Sequence, residues 1–388
     1  MIDVDRSSTL ETLLESDLFG VPGDPRFDEL ARMSIDMFGI DFAAIAMVGP
    51  ESVWFQSRHG IVATHTERAN SFCEAAILSD EMLVVEDVTK DPRFATHPAV
   101  VGEPGIRFFA GQPFHSPDGD RSGVYCIFAT EPRHLDSDKR KSLQGVGQWI
   151  EGEFLATDEL DRAAEMQRAL LPKNAAPIRG YQVAGTCIPA KTIGGDFFDW
   201  YPIDGGLGFT LGDVMGKGAS AGILAATVRA VVRSAARKKN VTVAVERTST
   251  CLATDFGESS SFVTLFHARL RASDGRVSFV DAGHGLTAIV RADGTTQRLW
   301  TSDFPLGVMP DEHWSRHTVM LDPGDMLVTF SDGVLDLYDG TLNAIDEVGA
   351  LARASTSPQN LVDTVEKLAR SAAATDDVTI LVLRRDPE

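Results

Sequence analysis

The stretch Leu207-Gly-Phe-Thr-Leu-Gly-Asp-Val214, continued by Met215-Gly-Lys-Gly218, decides how the C-terminal half of the chain is read. An apolar run ends on a single carboxylate, Asp213, and glycines then break the strand before an apolar-striped segment begins. The pattern predicts a strand over 207–214 and a helix over 217–237. Ala221, Leu224, Ala225, Val228, Val231 and Val232 fall on one stripe of that helix, so it must pack on something apolar. Three other aspartates share the setting of Asp213, each at a strand end or tight turn. Asp196 stands in Ile193-Gly-Gly-Asp-Phe-Phe-Asp199, Asp332 in Thr329-Phe-Ser-Asp-Gly333, and Asp376 in Thr375-Asp-Asp-Val-Thr379. Carboxylates gathered by a fold repel one another, so their convergence would require a compensating cation. Oxygen ligands without His or Cys favour Mg²⁺ or Mn²⁺ over zinc. Two such ions about 3.5–4 Å apart could clamp a phosphoryl group and turn water into a nucleophile at neutral pH.

Taken singly, each motif has a plainer reading. An isolated Asp-Gly pair marks a turn. Gly212-Asp-Val-Met-Gly-Lys-Gly218 before a helix could be an anion nest. It is not a P-loop, because Leu211 occupies the place of the first glycine and Gly218, not Ser or Thr, follows Lys217. Gly194-Gly-Asp-Phe-Phe198 looks superficially like the GGDEF signature of nucleotide cyclases, but Phe replaces the Glu. A diguanylate cyclase is therefore disfavoured. His284, in Ala282-Gly-His-Gly285, could be a metal ligand, an acid or a turn histidine.

Composition narrows the classes. The chain has 388 residues, with 36 Lys+Arg against 56 Asp+Glu and a net charge of −20. That balance argues against a nucleic-acid partner, which needs clustered cations. The one dense basic run, Arg237-Lys238-Lys239, is expected to close a helix. No stretch reaches the roughly 18–20 apolar residues of a membrane span, and the acidic N-terminus is unlike a signal peptide. Cys73, Cys126, Cys187 and Cys251 lack metal-ligand spacing and read as reduced thiols. These features together place the chain in the cytoplasm, with no membrane partner.

Organisation follows from two different patterns. Residues 10–155 begin with a helical stripe, Phe27, Leu30, Ala31, Ser34 and Met37. Strand-like runs follow at 42–48, 52–56, 83–87, 107–111 and 123–128, and Asp136 is placed to cap a further helix. From Gln144 to Leu171 the pattern stays helical until Pro172, which predicts a helical linker over 156–175. Residues 176–388 carry many strand-like runs and helical pieces at 217–237, 242–254 and 358–374. The fold class is therefore α+β with two domains, the second a sandwich covered by helices.

In their order, Leu170-Leu-Pro, Gly194-Gly-Asp-Phe-Phe-Asp199, Gly212-Asp-Val-Met-Gly-Lys-Gly218, Asp281-Ala-Gly-His284, Phe304-Pro-Leu-Gly307, Ser331-Asp-Gly333 and Asp376-Asp-Val-Thr379 resemble the bacterial SpoIIE-type branch of the PPM metal-dependent serine/threonine phosphatases. The resemblance implies an α/β/β/α sandwich with two Mn²⁺ or Mg²⁺ ions at one end. It implies that Asp213 bridges both ions, that the Val214 carbonyl contributes to one, that Asp196 holds the second, and that Asp332 and Asp376 complete the other. Asp377 and Asp199 adjoin these positions as supporting or capping groups. Gly285 stands where the family often has Asn, and no phosphate-clamping arginine is fixed by the pattern. The N-terminal half is similar to a GAF domain, an antiparallel sheet with helices. That resemblance is carried by Arg68, Phe72-Cys73, Asp87-Val-Thr-Lys-Asp91-Pro-Arg-Phe94, Gly105-Ile-Arg-Phe-Phe-Ala-Gly111, Pro113 and Gly123. It names no ligand, and Cys73 reads as a core thiol in preference to a chromophore site. The resemblance further implies a phosphorylated anti-anti-sigma (STAS-type) protein as substrate in a partner-switching stress pathway. A homodimer through the linker and GAF domain, and signal transfer along that linker past Gln167 and Leu171, are expected from the linker's position. The competing reading is a ligand-sensing scaffold that binds a phosphoprotein without turning it over.

Overall fold

The computed structural model describes residues 24–173, 178–235, 240–256, 261–309, 312–338, 340–372 and 374–387. The basic run 237–239, residues 174–175 of the expected linker and residues 10–23 of the N-terminal domain lie outside the described residues. The chain divides into two compact units, Met1–Glu159 and Leu160–Glu388.

The N-terminal unit starts with helix α1 (Pro25–Phe38). Asp24 caps it by accepting from the Arg26 N–H, Pro25 stands in its first turn, and Gly39 closes it at φ 65°. Strands β1 (Phe42–Val48), β2 (Ser52–His59), β3 (His65–Glu67), β4 (Leu83–Val85), β5 (Phe108–His115) and β6 (Arg121–Ala129) form an antiparallel sheet ordered β3-β2-β1-β6-β5-β4. Short helices α2 (Phe72–Ala76) and α3 (Pro98–Val101) lie between β3 and β5 in the chain. The strand period of two splits β1 between two cores. Ile45 and Met47 join Phe27, Phe38, Leu143 and Phe154 on the face covered by α1 and α4 (Ser137–Leu170). Ala44, Ala46 and Val48 join Phe72, Phe94, Phe109 and Cys73 on the other. Cys73 is thus a buried thiol in an aromatic core. Helix α4 is one unbroken 34-residue helix. Its Gly145, Gly147 and Gly152 each cost about 1 kcal/mol against Ala. Burial of Leu143, Ile150 and Phe154 offsets that cost.

The C-terminal unit contains two five-stranded antiparallel sheets among the described residues. The first has the order β14-β11-β10-β9-β8, built from β8 (Phe197–Ile203), β9 (Gly206–Val214), β10 (Val263–Arg271), β11 (Arg276–Ala282) and β14 (His317–Met320). The second has the order β13-β12-β15-β16-β7, from β7 (Tyr181–Ile188), β12 (Thr287–Val290), β13 (Thr296–Leu299), β15 (Met326–Phe330) and β16 (Val378–Arg385). Phe198, Trp200, Phe209 and Phe266 of the first sheet meet Val183, Ile289, Leu327 and Leu381 of the second in one core. Helices α5 (Ala219–Ala235) and α6 (Val241–Phe256) pack outside the first sheet through Leu224, Val228, Val232 and Val245. Helices α7 (Ala344–Ala354) and α8 (Pro358–Ala372) pack outside the second through Val348, Leu361 and Val365. The layers run α/β/β/α, the architecture expected. The expected 217–237 helix begins two residues later, after Gly218, and its described part ends at Ala235.

Candidate active site

Strand pairing sets the four aspartates in two pairs, one at an end of each sheet, before any side chain is considered. Phe197 of β8 pairs with Gly212 of β9, so Asp196 and Asp213 are the next residues along that antiparallel ladder. In the second sheet Phe330 pairs with Ile380, and the Ser331 N–H donates to the Thr379 carbonyl at 2.9 Å. Asp332 therefore leaves β15 beside the turn that carries Asp376 and Asp377 into β16. Mutual charge effects link Asp196 to Asp213, and Asp213 to Asp332 and Asp376. All four predicted positions are thus brought together.

Close packing of backbone makes this possible. A Cβ on Gly195 would stand 2.6 Å from the Val214 carbonyl oxygen, and one on Gly333 would stand 2.1 Å from that of Asp377. Any side chain would force these segments apart. Asp377 binds the loop from the other side. Its Oδ2 accepts from the Gly195 N–H at 2.7 Å, and its Oδ1 accepts from Ala190 at 2.8 Å.

The electrostatics are those of uncompensated negative charge. Burial, reinforced by the Asp213 charge, pushes the Asp196 carboxyl well above the usual carboxylate range, against a smaller downward pull from Ser331 and Thr379. Burial and then Asp332, Asp376 and Asp377 push Asp213 up to about 7. Burial and Asp376 also raise Asp332. Asp196 is 3% exposed, and its Oδ2 has no hydrogen-bond partner. A buried acceptor of this kind is costly unless something positive or protic meets it. One cation is already present. Lys217 Nζ lies 3.0 Å from Asp376 Oδ1 and donates to the Thr375 carbonyl at 2.8 Å. The sequence alone assigns Lys217 no separate role within Gly212-Asp-Val-Met-Gly-Lys-Gly218. The signal that could have placed it was its position four residues after Asp213.

Gln167 of α4 also reaches this loop. Its Nε2 donates to the Gly194 carbonyl at 2.7 Å, and its Oε1 accepts from the Gly194 N–H at 3.2 Å. Both polar groups of the peptide unit two residues before Asp196 are thereby held by one side chain.

The structure corrects one expectation and decides among the readings left open for His284. Asp199, expected to support the aspartate group, is 1% exposed and pairs with Arg229 and Arg233 of α5 at 3.3 and 3.0 Å. It fastens α5 to β8. His284 is a turn histidine: its N–H donates to Asp281 Oδ1 at 2.8 Å, and its Nε2 lies 3.0 Å from Thr329 Oγ1. Burial holds its imidazole down to about 3, hence neutral.

Among the described residues, no group of three His, Cys, Asp or Glu side chains is placed to hold one metal ion. The carboxylates are gathered but not closed around a centre. Their chemistry nevertheless fits a hard divalent cation: all donors are oxygens, Asp196 Oδ2 lacks a partner, and the group carries unrelieved repulsion.

An α/β/β/α sandwich with aspartates at these four strand ends is the arrangement that the resemblance to PPM-type (PP2C-type) phosphatase domains implies. Residues 203–386 match the family Stage II sporulation protein E (SpoIIE). That match lies wholly within the C-terminal unit and leaves the N-terminal unit outside it. Protein IcfG of Synechocystis sp. is 28% identical over 211 residues, 47% of this chain and 33% of its own length. The phosphoserine phosphatase RsbU of Bacillus subtilis is 25% identical over 263 residues, 64% of this chain and 74% of its own. The match thus spans only a third of IcfG. The SiaA-PP2C domain of Pseudomonas aeruginosa shares the fold, with a TM-score of 0.51 at 21% identity over 61% of this chain and 99% of that one.

Proposed function

We propose that this chain is a metal-dependent protein phosphatase that removes phosphate from serine or threonine of a partner protein in the cytoplasm. The observation that carries the reading is the convergence of Asp196, Asp213, Asp332 and Asp376 at one end of the sandwich, with Asp196 Oδ2 buried and unpartnered. Mn²⁺ or Mg²⁺ bound there would lower the pKa of water and neutralise charge on a transferring phosphoryl group. Asp213, the Val214 carbonyl and Asp196 would hold it from the first sheet, and Asp332 and Asp376 from the second. Asp377 orients the Gly195–Asp196 backbone. Lys217, tethered at the rim, supplies positive charge where a phosphoryl oxygen would approach.

The substrate we infer is a phosphorylated anti-anti-sigma (STAS-type) protein, in line with the likeness to RsbU. The N-terminal unit would act as a GAF-type regulatory domain. Leu160, Met166 and Leu170 are exposed apolar residues of α4 and support pairing of two copies along that helix. Among the described residues, no helix is long and apolar enough to cross a membrane.

The scaffold reading has one observation in its favour, the Lys217–Asp376 ion pair within the carboxylate group. Release of phosphate from a phosphorylated STAS protein, with manganese and with chelator, separates the two readings. Manganese-dependent release that Asp213→Asn abolishes is expected of the phosphatase. Equal rates for the two proteins would favour the scaffold.

A further inference from the structure

The first sheet of the C-terminal unit carries a second concentration of charge, of opposite sign, at the end remote from the aspartates. Asp213 closes β9, whereas the residues concerned lie where β8 and β10 end and β11 begins. Register sets Arg269 opposite Ser278 and Arg271 opposite Arg276 across β10 and β11. Residues two apart on a strand share a face, so these four side chains project on one side of the sheet. Ser278 in turn pairs with Thr318. Arg316, two residues before Thr318, therefore belongs to the same face. Arg269, Arg271, Arg276 and Arg316 line an open groove of about 600 Å³. Val241, the first residue of α6, lines it too, so the groove opens where α5 has ended and α6 starts.

Charge makes this groove unusual for the molecule. Four arginines line it against one carboxylate, Asp204. Arg271 is engaged by Asp274, while Arg276 and Arg316 are exposed. The chain as a whole carries −20. A second observation points to a missing polar partner. Tyr201, next to the groove residues Pro202 and Ile203, is 5% exposed, and its hydroxyl has no hydrogen-bond partner. Such a donor is costly unless it is met.

We propose that this groove binds an acidic segment of a protein partner, with Arg276 and Arg316 receiving its carboxylates. Guanidinium forks match carboxylates bidentately, so clustered arginines select them strongly. An acidic partner is repelled by most of a surface at −20, and a local arginine cluster gives it a single favourable orientation. The groove spans four strand or helix ends rather than enclosing one ion, which suits an extended segment. Binding here would leave the aspartate end open. The proposal does not rest on catalysis, so it can fail while the phosphatase reading stands.

The test uses the full chain with chelator and a fluorescein-labelled deca-glutamate peptide, read by fluorescence anisotropy at low and at 150 mM salt. Binding is expected to weaken with salt. It should fall at least tenfold in Arg276→Glu/Arg316→Glu, and that variant should acquire affinity for deca-lysine. Arg276→Gln/Arg316→Gln, checked for native circular dichroism, should show an intermediate loss and guards against misfolding. Affinity unchanged in both variants would overturn the proposal. So would displacement of the peptide by inorganic phosphate or a single-stranded oligonucleotide at equal charge concentration, which would mark a general anion site.

Discussion

Replacing Asp213 with Asn should stabilise the metal-free protein at pH 8, although it removes a central residue of the site. The Asp213 carboxyl stands at about 7 in the folded chain against an ordinary value of 3.8. A difference of about three units corresponds to at most about 4 kcal/mol. The sign follows from proton binding. Because the folded value is raised, the folded state holds more protons than the unfolded state between about pH 4 and 7. Stability is therefore full below pH 4 and declines as pH rises through 7. Asparagine never ionises, so the variant escapes that decline. Urea unfolding in chelator at pH 4 and pH 8 should give near-equal stabilities at the lower pH and a gain of one to several kcal/mol at the higher, bounded by about 4 kcal/mol. Manganese should narrow the gap, since saturation at a hundred times the dissociation constant adds about 2.7 kcal/mol to the protein that binds it. A variant less stable than the parent in chelator at pH 8 would refute the claim that repulsion and burial dominate at this position.

Gln167→Leu removes both hydrogen bonds to Gly194; at about 1 kcal/mol each, manganese affinity measured by calorimetry should fall roughly tenfold or more. Gln167→Glu keeps the acceptor for the Gly194 N–H and should lose less; identical affinities in all three proteins would sink the positioning role. Lys217→Met deletes the cation at Asp376; the half-exposed pair contributes under about 1 kcal/mol, so melting in chelator should shift only slightly while manganese binds a few-fold more tightly. Weaker manganese binding would place Lys217 with the ligands instead of against them. Asp199→Ala leaves Arg229 and Arg233 without their buried carboxylate and should cost about 3 kcal/mol in urea unfolding. Its manganese affinity should not change, and a large drop would return Asp199 to the aspartate group.

The sheets and the aspartates were legible in the sequence because both obey short-range rules. A carboxylate beside glycine at the edge of an apolar run is visible without knowing its neighbours, as at Asp196, Asp213 and Asp332, and Asp376 stands just before the last such run. β8 carries no strand signal of its own. Phe197-Phe-Asp-Trp-Tyr201 is buried on both faces, between the second sheet and α5, and so lacks polar alternation. β13 is only four residues long and was missed for want of a pattern. The continuity of α4 is legible despite three glycines, whose cost is met by tertiary packing. Asp199 and Asp377 looked alike from the sequence, each one or three positions from a predicted ligand. Their roles diverge because the partners that separate them, Arg233 and Gly195, are fixed only by the fold.

That divergence explains how the site tolerates its own repulsion. Four carboxylates pressed together would be expected to spread the strand ends apart. The segment before Asp196 is instead held from two sides by neutral and charged acceptors: Gln167 grips Gly194, and Asp377 grips Gly195. Neither grip touches the Asp196 carboxylate, so its Oδ2 stays bare. A loop clamped through its backbone while one oxygen of its acidic side chain is left without a partner stores a preference for a cation without being shaped by one. It also means that movement of a single residue, Gln167, would be felt at Asp196 through two peptide bonds. No change in any carboxylate would be needed.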